Sequence, residues 1–470
     1  MTGKPNAIYI AGGGGTEVIS ATAYGIADRI FREYRNNVGT LYAAVGGMRG
    51  ALNEDLADVF GWAAQKGSGS AHERLNQLKF YSCSVFGTSR HNPDEEDCKR
   101  LVDVFKAHNI RYVFLNGGND TMEKAIRIQE YAKEQGVELN IVGVPKTIDN
   151  DLLGTYICPG YPTFAKWVAY NTMSLARDLD SFSLSPNSAR GGKVKEGAIA
   201  QVLVVMGRDA GWGAAASILG ELDESYAPHI ILTKEGGFSE ERFLARAQDT
   251  FDKYGQLFVV ASEGAHDGTD YLANRLKVTS DKPELAFKYH TDLHKNASVS
   301  DGRLALFLKL LLEDRLKIPT DVYKDFKVRA EGPNYLGRNN LEILSAPDFF
   351  SAIAAGESAV DLTIGEGKTG IMVTLTEIPG ITGDVSLEKV ADSKKGSKAM
   401  TKTLSSLFLD GHPAIIKDGM MIDREVFWEY AEDYIDLNGP NRSELLRGEG
   451  FLIPLPRIEF PLEQRVLSPY

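Results

Sequence analysis

The stretch AIYIAGGGGTEVISATAYGIADRIFREY, Ala7–Tyr34, decides the fold. Its opening, Ala7–Ala11, is an apolar run of strand length. Four glycines, Gly12–Gly15, interrupt it, and from Val18 onward Ile19, Ala23, Ile26, Ile30 and Tyr34 share one face at helical spacing. Strand, glycine turn and helix in succession form the unit from which parallel α/β sheets are built. The order recurs downstream. Ile110–Leu115 runs into Asn116–Thr121, and a helix follows over Met122–Lys133 that stops near Gly136. Asn140–Val144 runs into Pro145–Asp151, and Ala198–Val205 into Met206–Gly211 with the Ala-rich helix Gly213–Leu219 behind it. Ile230–Leu232, Leu257–Ala261 and Ile371–Leu375 read as further strands. Unbroken apolar runs such as Val202–Val205 suit strands buried on both faces. The fold class is therefore α/β, with parallel sheets covered by helices. In such sheets ligands bind outside the carboxyl ends of the strands, where the chemically distinctive motifs of this chain lie.

Composition bounds the function. A chain of 470 residues suggests roughly two to four domains. Hydrophobic residues at 43% support a packed core. Lys and Arg number 52 against 64 Asp and Glu, a net charge of −12, which argues against a nucleic-acid partner, whose binding needs a basic face. A phosphorylated substrate needs only a local cationic pocket and stays open. The three cysteines, Cys83, Cys98 and Cys158, have no metal-ligand spacing and suit a reducing compartment. No apolar run approaches the roughly 18 residues of a membrane helix. The strand begins almost at the N-terminus without a signal-peptide pattern, and the C-terminal LSPY carries no prenylation box. A soluble, cytoplasmic protein without a membrane partner is expected. No internal repeat and no low-complexity tract occur.

Several motifs carry candidate chemistry. Gly12–Gly15 lets bare backbone approach an anion at a helix start, or makes a plain tight turn. No Gly-Lys-Ser/Thr follows it, so it is not a Walker loop. In Asn116–Thr121, NGGNDT, the glycines admit phosphate oxygens and Asp120 offers a ligand for Mg²⁺, whereas Asp120 or Thr121 as a helix cap is the simpler reading. Pro145–Asp151, PKTIDND, sets Lys146 and Thr147 beside Asp149 and Asp151. Read chemically, Asp149 takes the proton of an attacking hydroxyl, Asp151 orients it or holds metal-linked water, and Lys146 neutralises phosphoryl charge. A polar turn with an Asx cap carries equal weight there. Arg90 ends GTSR, and Arg208 follows an apolar strand within MGRDAG. Glu263 follows Leu257–Ala261, at a place suited to sugar hydroxyls. Arg329, Tyr335 and Arg338 flank the turn Glu331–Asn334, where two guanidinium forks suit a phosphate dianion or form surface ion pairs.

Taken in order, the glycine turn, GTSR, NGGNDT, PKTIDND, MGRDAGW, SEGA and NYLGR resemble the phosphofructokinase family from about Ala7 to Leu375. The resemblance implies two Rossmann-like three-layer α/β/α lobes with the site in the cleft between them. Residues 1–160 plus about 340–390 would form the phosphoryl-donor lobe and 161–339 the sugar-phosphate lobe, while 391–470 carries little diagnostic resemblance. It implies transfer of phosphate to the 1-hydroxyl of fructose 6-phosphate with Mg²⁺. Asp149 would be the general base with Thr147 and Asp151 as its partners. Arg90 and Arg208 would stabilise the transferring phosphoryl, and Gly13 would approach the donor. Met206, Gly207 and Glu263 would contact the sugar, and Arg329, Tyr335 and Arg338 its 6-phosphate. A homodimer or homotetramer is implied.

Relatives that use ATP typically have glycines at the positions of Asp120 and Lys146, where side chains crowd the α-phosphate of a nucleotide. The pair Asp120 and Lys146 is similar to the pyrophosphate-dependent branch, which makes pyrophosphate the expected donor. Three departures from the family pattern stand out. Asn119 stands where an aspartate usually binds Mg²⁺, leaving the metal to Asn119 and Asp120 or to the substrate. Gly14, Gly15 and Thr16 replace Asp-Ala-Pro, and Gly197–Val205 lacks an arginine common among relatives. These departures keep open ATP as donor, another acceptor such as sedoheptulose 7-phosphate, and a non-catalytic regulatory subunit.

Overall fold

The computed structural model describes residues 3–65, 69–182, 195–221, 223–226, 228–276, 302–319, 323–340, 342–392, 398–399, 401–405 and 416–440. Its principal elements in chain order begin with β1 (Asn6–Ala11), α1 (Ile19–Glu33), β2 (Leu41–Ala44), β3 (Leu56–Asp58), α2 (Glu95–Ala107), β4 (Ile110–Gly117), α3 (Asn119–Glu134) and β5 (Asn140–Pro145). There follow α4 (Tyr161–Phe182), β6 (Lys195–Val205), α5 (Trp212–Ala215), β7 (Ile230–Leu232), α6 (Glu240–Tyr254), β8 (Leu257–Ser262), α7 (Arg303–Arg315) and β9 (Tyr323–Glu331). The last are α8 (Ala346–Val360), β10 (Ile371–Leu375), β11 (Thr382–Ser386) and α9 (Arg424–Ile435). The chain forms two compact units. One comprises Met1–Thr163, Arg338–Thr401 and Asp433–Tyr470; the other comprises Phe164–Gly337 and Lys402–Glu432.

The first unit holds a seven-stranded sheet in the order β11-β10-β5-β4-β1-β2-β3. The run from β10 to β2 is parallel, as the strand–turn–helix pattern predicts. Both edges reverse, because β3 pairs antiparallel with β2 and β11 with β10. Connection length explains β11: the segment 376–381 is too short for a parallel crossover, which needs about a dozen residues or more. Ile8, Leu115, Ile141 and Met372 from the central strands pack with Phe105 of α2 and Met122 of α3 in one core. On α1 and α8, Gly25 faces the Ile353 carbonyl and Gly356 faces the Thr22 carbonyl, so a side chain at either glycine would strike the partner backbone.

The second unit holds an all-parallel four-stranded sheet, β7-β8-β6-β9. Its core joins Val202, Val259 and Ile230 with Phe243 of α6 and Leu308 of α7. No helix of the described residues is long and apolar enough to cross a membrane.

Candidate active site

In the first unit β5, β4 and β1 are neighbours and parallel, so their carboxyl ends deliver three of the predicted motifs side by side. The Gly12 N–H donates to the Asn116 carbonyl at 2.8 Å, the first link between the glycine turn and NGGNDT. The turn is also sewn to GTSR. The Gly13 N–H donates to Ser89 O at 3.0 Å, and Thr88 Oγ1 donates to Gly13 O at 2.8 Å. Gly13 lies at φ +79°, a conformation open to glycine at little cost, and a Cβ there would stand 3.3 Å from Lys146 Nζ.

Lys146 leaves the end of β5 and lies 3% exposed, its Nζ donating to Gly14 O at 2.5 Å. Burial pushes its pKa down to about 8, and the Arg338 and Arg90 guanidinium groups add to that shift while Asp149 opposes it. Arg338 lies over the same turn, for a Cβ at Gly14 would be 2.5 Å from its Nη1. Three cations therefore bear on one glycine turn, an arrangement that suits a polyanion and that no single motif announces.

PKTIDND forms an ordered loop. Thr147 Oγ1 accepts the Asp149 N–H at 3.1 Å, and Asn150, at φ +52°, accepts the Cys158 N–H at 3.0 Å. Asp149 is half-buried. Asp151 is 6% exposed and accepts from Asn119 Nδ2 at 2.8 Å. Asn119 thus spends its amide N–H on Asp151, and its Oδ1 is buried without a hydrogen-bond partner. Asp120, the next residue, is exposed. Helix α3 starts after Gly118 with no side-chain cap, which corrects the expectation that Asp120 or Thr121 caps it. An uncapped helix start offers its N–H groups and its positive end to an anion.

The oxygens of Asn119 and Asp120 are hard donors suited to Mg²⁺. Among the described residues no group of three or more His, Cys, Asp or Glu side chains forms a metal cage. Mg²⁺ commonly takes one or two protein oxygens and completes its shell with water and substrate phosphates. The orphaned Asn119 oxygen beside an exposed carboxylate fits that mode.

The second unit carries the other predicted residues. Gly207 N–H donates to Glu263 Oε1 at 3.2 Å, and Ser262 Oγ donates to Gly207 O. The ends of β6 and β8 thereby bring Met206, Gly207, Arg208 and Glu263 together. Glu235, which its loop-like sequence context did not single out, takes the Gly211 N–H at 3.0 Å and the Leu404 N–H at 3.1 Å and so fixes the loop that carries Arg208. Arg329 pairs with Asp178, and Tyr335 is exposed. Arg338 instead belongs to the first unit, at its glycine turn.

The phosphofructokinase family model matches residues 6–299. Pyrophosphate–fructose 6-phosphate 1-phosphotransferase of Halomonas elongata is 32% identical over 380 residues, covering 79% of this chain and 80% of the relative. The protein of the same name from Xanthomonas campestris is 33% identical over 79% of this chain and 80% of its own. Among solved structures, the pyrophosphate-dependent phosphofructokinase of Marinobacter aquaeolei superposes with a TM-score of 0.69 at 28% identity, covering 91% of each chain.

Proposed function

From the premise that this chain belongs to the phosphofructokinase family, we propose that it moves a phosphoryl group from pyrophosphate to the 1-hydroxyl of fructose 6-phosphate, giving fructose 1,6-bisphosphate and phosphate. The observation that carries this reading is Lys146. It is a buried cation, seated against the glycine turn, at a position where, as the family resemblance implies, relatives that use a nucleotide typically have a glycine.

The first unit is the donor half. Lys146, Arg90, Arg338 and the uncapped start of α3 receive pyrophosphate, and Gly13 lets its oxygens close on backbone. Asp149 accepts the proton of the acceptor hydroxyl as that oxygen attacks the phosphorus. Thr147 fixes the Asp149 backbone, and Asp151, held by Asn119, orients the incoming alcohol. Lys146 remains on the leaving phosphate and offsets the charge it gains. Asn119 and Asp120 would hold Mg²⁺, which supplies charge neutralisation on the diphosphate oxygens. The second unit is the sugar half: Met206, Gly207 and Glu263 contact the sugar, Arg329 and Tyr335 its 6-phosphate, and Arg208 the transferring group. The enzyme is read as a cytoplasmic homo-oligomer, on the resemblance to relatives with shared sites and on cysteines suited to a reducing compartment.

The test is a matrix of steady-state rates, pyrophosphate and ATP each with fructose 6-phosphate and sedoheptulose 7-phosphate. Turnover with pyrophosphate and fructose 6-phosphate is expected. Turnover with ATP alone overturns the donor assignment, preference for sedoheptulose 7-phosphate overturns the acceptor, and binding without transfer overturns the catalytic reading.

A further inference from the structure

Helix α8 carries a buried carboxylate for which the reaction above has no direct use. Asp348 is 1% exposed, in the first turn of α8, behind the Ser345 cap. Its partners lie about 185 residues earlier in the chain. Oδ1 accepts the Gly160 N–H at 2.9 Å, and Oδ2 accepts the Thr163 N–H at 3.1 Å and the Thr163 hydroxyl at 2.6 Å. Gly160 and Thr163 bracket the start of α4, so one carboxylate satisfies N–H groups at the N-terminus of another helix and meets its positive end.

Gly160 is also the residue that touches the reacting loop. It forms a parallel bridge with Thr147, and the Thr147 N–H donates to Pro159 O at 3.2 Å. Thr147 in turn accepts the Asp149 N–H. Gly160 sits at φ +103°, and a Cβ there would stand 2.8 Å from Thr16, so the segment is wedged against the glycine turn as well. A continuous set of contacts therefore runs from Asp348 through Gly160 to Thr147 and Asp149. We infer that Asp348 is a positioning residue for this loop, its carboxylate holding Gly160 and thereby the backbone that aims Asp149.

The chemistry of the pocket makes the hold dependent on ionisation. Burial raises the Asp348 pKa to about 6 against the three hydrogen bonds that favour the anion. Thr163 faces it from α4, Ser345 Oγ accepts the Asp348 backbone N–H, and the α9 phenol of Tyr434, which burial keeps neutral, interacts with it electrostatically while donating to Thr376 O. Among the described residues no Lys, Arg or His pairs with it. Protonation converts one acceptor oxygen into a donor that faces the donors of Thr163. The inference rests on the proposed function for its catalytic readout, and its structural readout is independent of that function.

Asp348→Asn and Thr163→Val are compared with the wild type by melting temperature, by amide hydrogen exchange of a peptide spanning 145–160, and by kcat and KM from pH 5 to 8. The side-chain amide of Asp348→Asn would present an NH₂ group to the Thr163 donors. Faster exchange in that peptide with β1 unchanged is expected, together with a kcat lower by roughly 10- to 100-fold and a nearly constant KM for fructose 6-phosphate. The wild-type acid limb near pH 6 should be absent from Asp348→Asn. Thr163→Val should lie between. Unchanged exchange, or activity loss that follows the melting temperature alone, overturns the inference. A wild type that transfers nothing from pyrophosphate overturns the proposed function, while exchange in the 145–160 peptide still decides whether Asp348 holds the loop.

Discussion

Replacing Lys146 by methionine keeps the bulk of the side chain and removes its charge. In the wild type the group titrates at about 8. By that value roughly three quarters of the lysine is charged at pH 7.5 and about a tenth at pH 9. Pyrophosphate needs the charged form, so kcat/KM for pyrophosphate should fall about tenfold per pH unit above 8. A hydrogen bond to a charged group is worth about 1.5–3 kcal/mol, which converts to a roughly 10- to 150-fold loss for Lys146→Met at neutral pH. Pyrophosphate and its Mg²⁺ complex titrate too, but identically for both proteins. The ratio of wild type to variant therefore isolates the lysine. It should be flat below pH 7.5 and decline above 8. Stability should move the other way. The folded pKa lies below the unfolded 10.5, so burying the charge costs stability below pH 8 and the cost is relieved as pH rises from 8 to 10.5. The shift corresponds to about 3 kcal/mol at neutral pH, part of which the lost bond to Gly14 O offsets. Lys146→Met should thus resist urea at least as well as the wild type at pH 7. A variant with unaltered pyrophosphate kinetics, and a ratio that ignores pH, would refute the reasoning.

Asp149→Ala, which removes the proposed base, should lower kcat by about 10²- to 10⁴-fold while fructose 6-phosphate binding, read by calorimetry, persists. Asn119→Ala deletes both the orphaned oxygen and the bond to Asp151, so a lower kcat and a Mg²⁺ requirement raised by several-fold to about tenfold should appear in a metal titration. Gly160→Ala places a Cβ against Thr16 at φ +103°, and a loss of about 1–3 kcal/mol is expected in urea unfolding. Asp178→Asn breaks a half-exposed pair and should change stability by less than about 1 kcal/mol, whereas Arg329→Met should raise the KM for fructose 6-phosphate well beyond what Asp178→Asn does.

Most central strands are legible because their apolar runs end in glycine or polar clusters, and burial on both faces leaves little else for such runs to be; the four-residue Leu41–Ala44 is too short to stand out. Edge strands are less legible: Ile230–Leu232 reads as a strand, whereas Leu56–Asp58, Thr382–Ser386 and Tyr323–Glu331 do not. Tyr323–Glu331, YKDFKVRAE, alternates charged and apolar residues and lies at the edge of its sheet, where charge protects against further pairing. Strand direction at the edges of the larger sheet is set by connection length and not by periodicity. At the site, PKTIDND reads locally because its contacts are local, Thr147 to Asp149 among them. Asp348 and Glu235 act over distances of 188 and 169 residues along the chain, and no window of sequence contains both ends of such a bond. The chain passes from one unit to the other between Gly337 and Arg338, so Arg329 and Arg338 are carried by different units, a division that no local pattern marks.

Asn119 and the pair Asp120 and Lys146 become intelligible together. A nucleotide offers a base and a ribose to bury, so part of its affinity comes from apolar and stacking surface. Pyrophosphate offers only charge and hydrogen-bond acceptors, and a site for it must grip through cations and hydrogen-bond donors. A relative with aspartate at position 119 and glycines at 120 and 146 carries a net −1 over these three positions. Here Asn119, Asp120 and Lys146 carry 0, −1 and +1, a net of 0. The change moves the pocket one unit toward positive while keeping one carboxylate for a metal ion. The amide at 119 is then no defect. Its Nδ2 donates to Asp151, which an aspartate there would repel, and its buried Oδ1 keeps an oxygen without a hydrogen-bond partner. Restoring aspartate at 119 alone should therefore not improve the enzyme: it would add a metal ligand at the expense of Asp151, and only the loss of Lys146 as well would return the charge balance that suits a nucleotide.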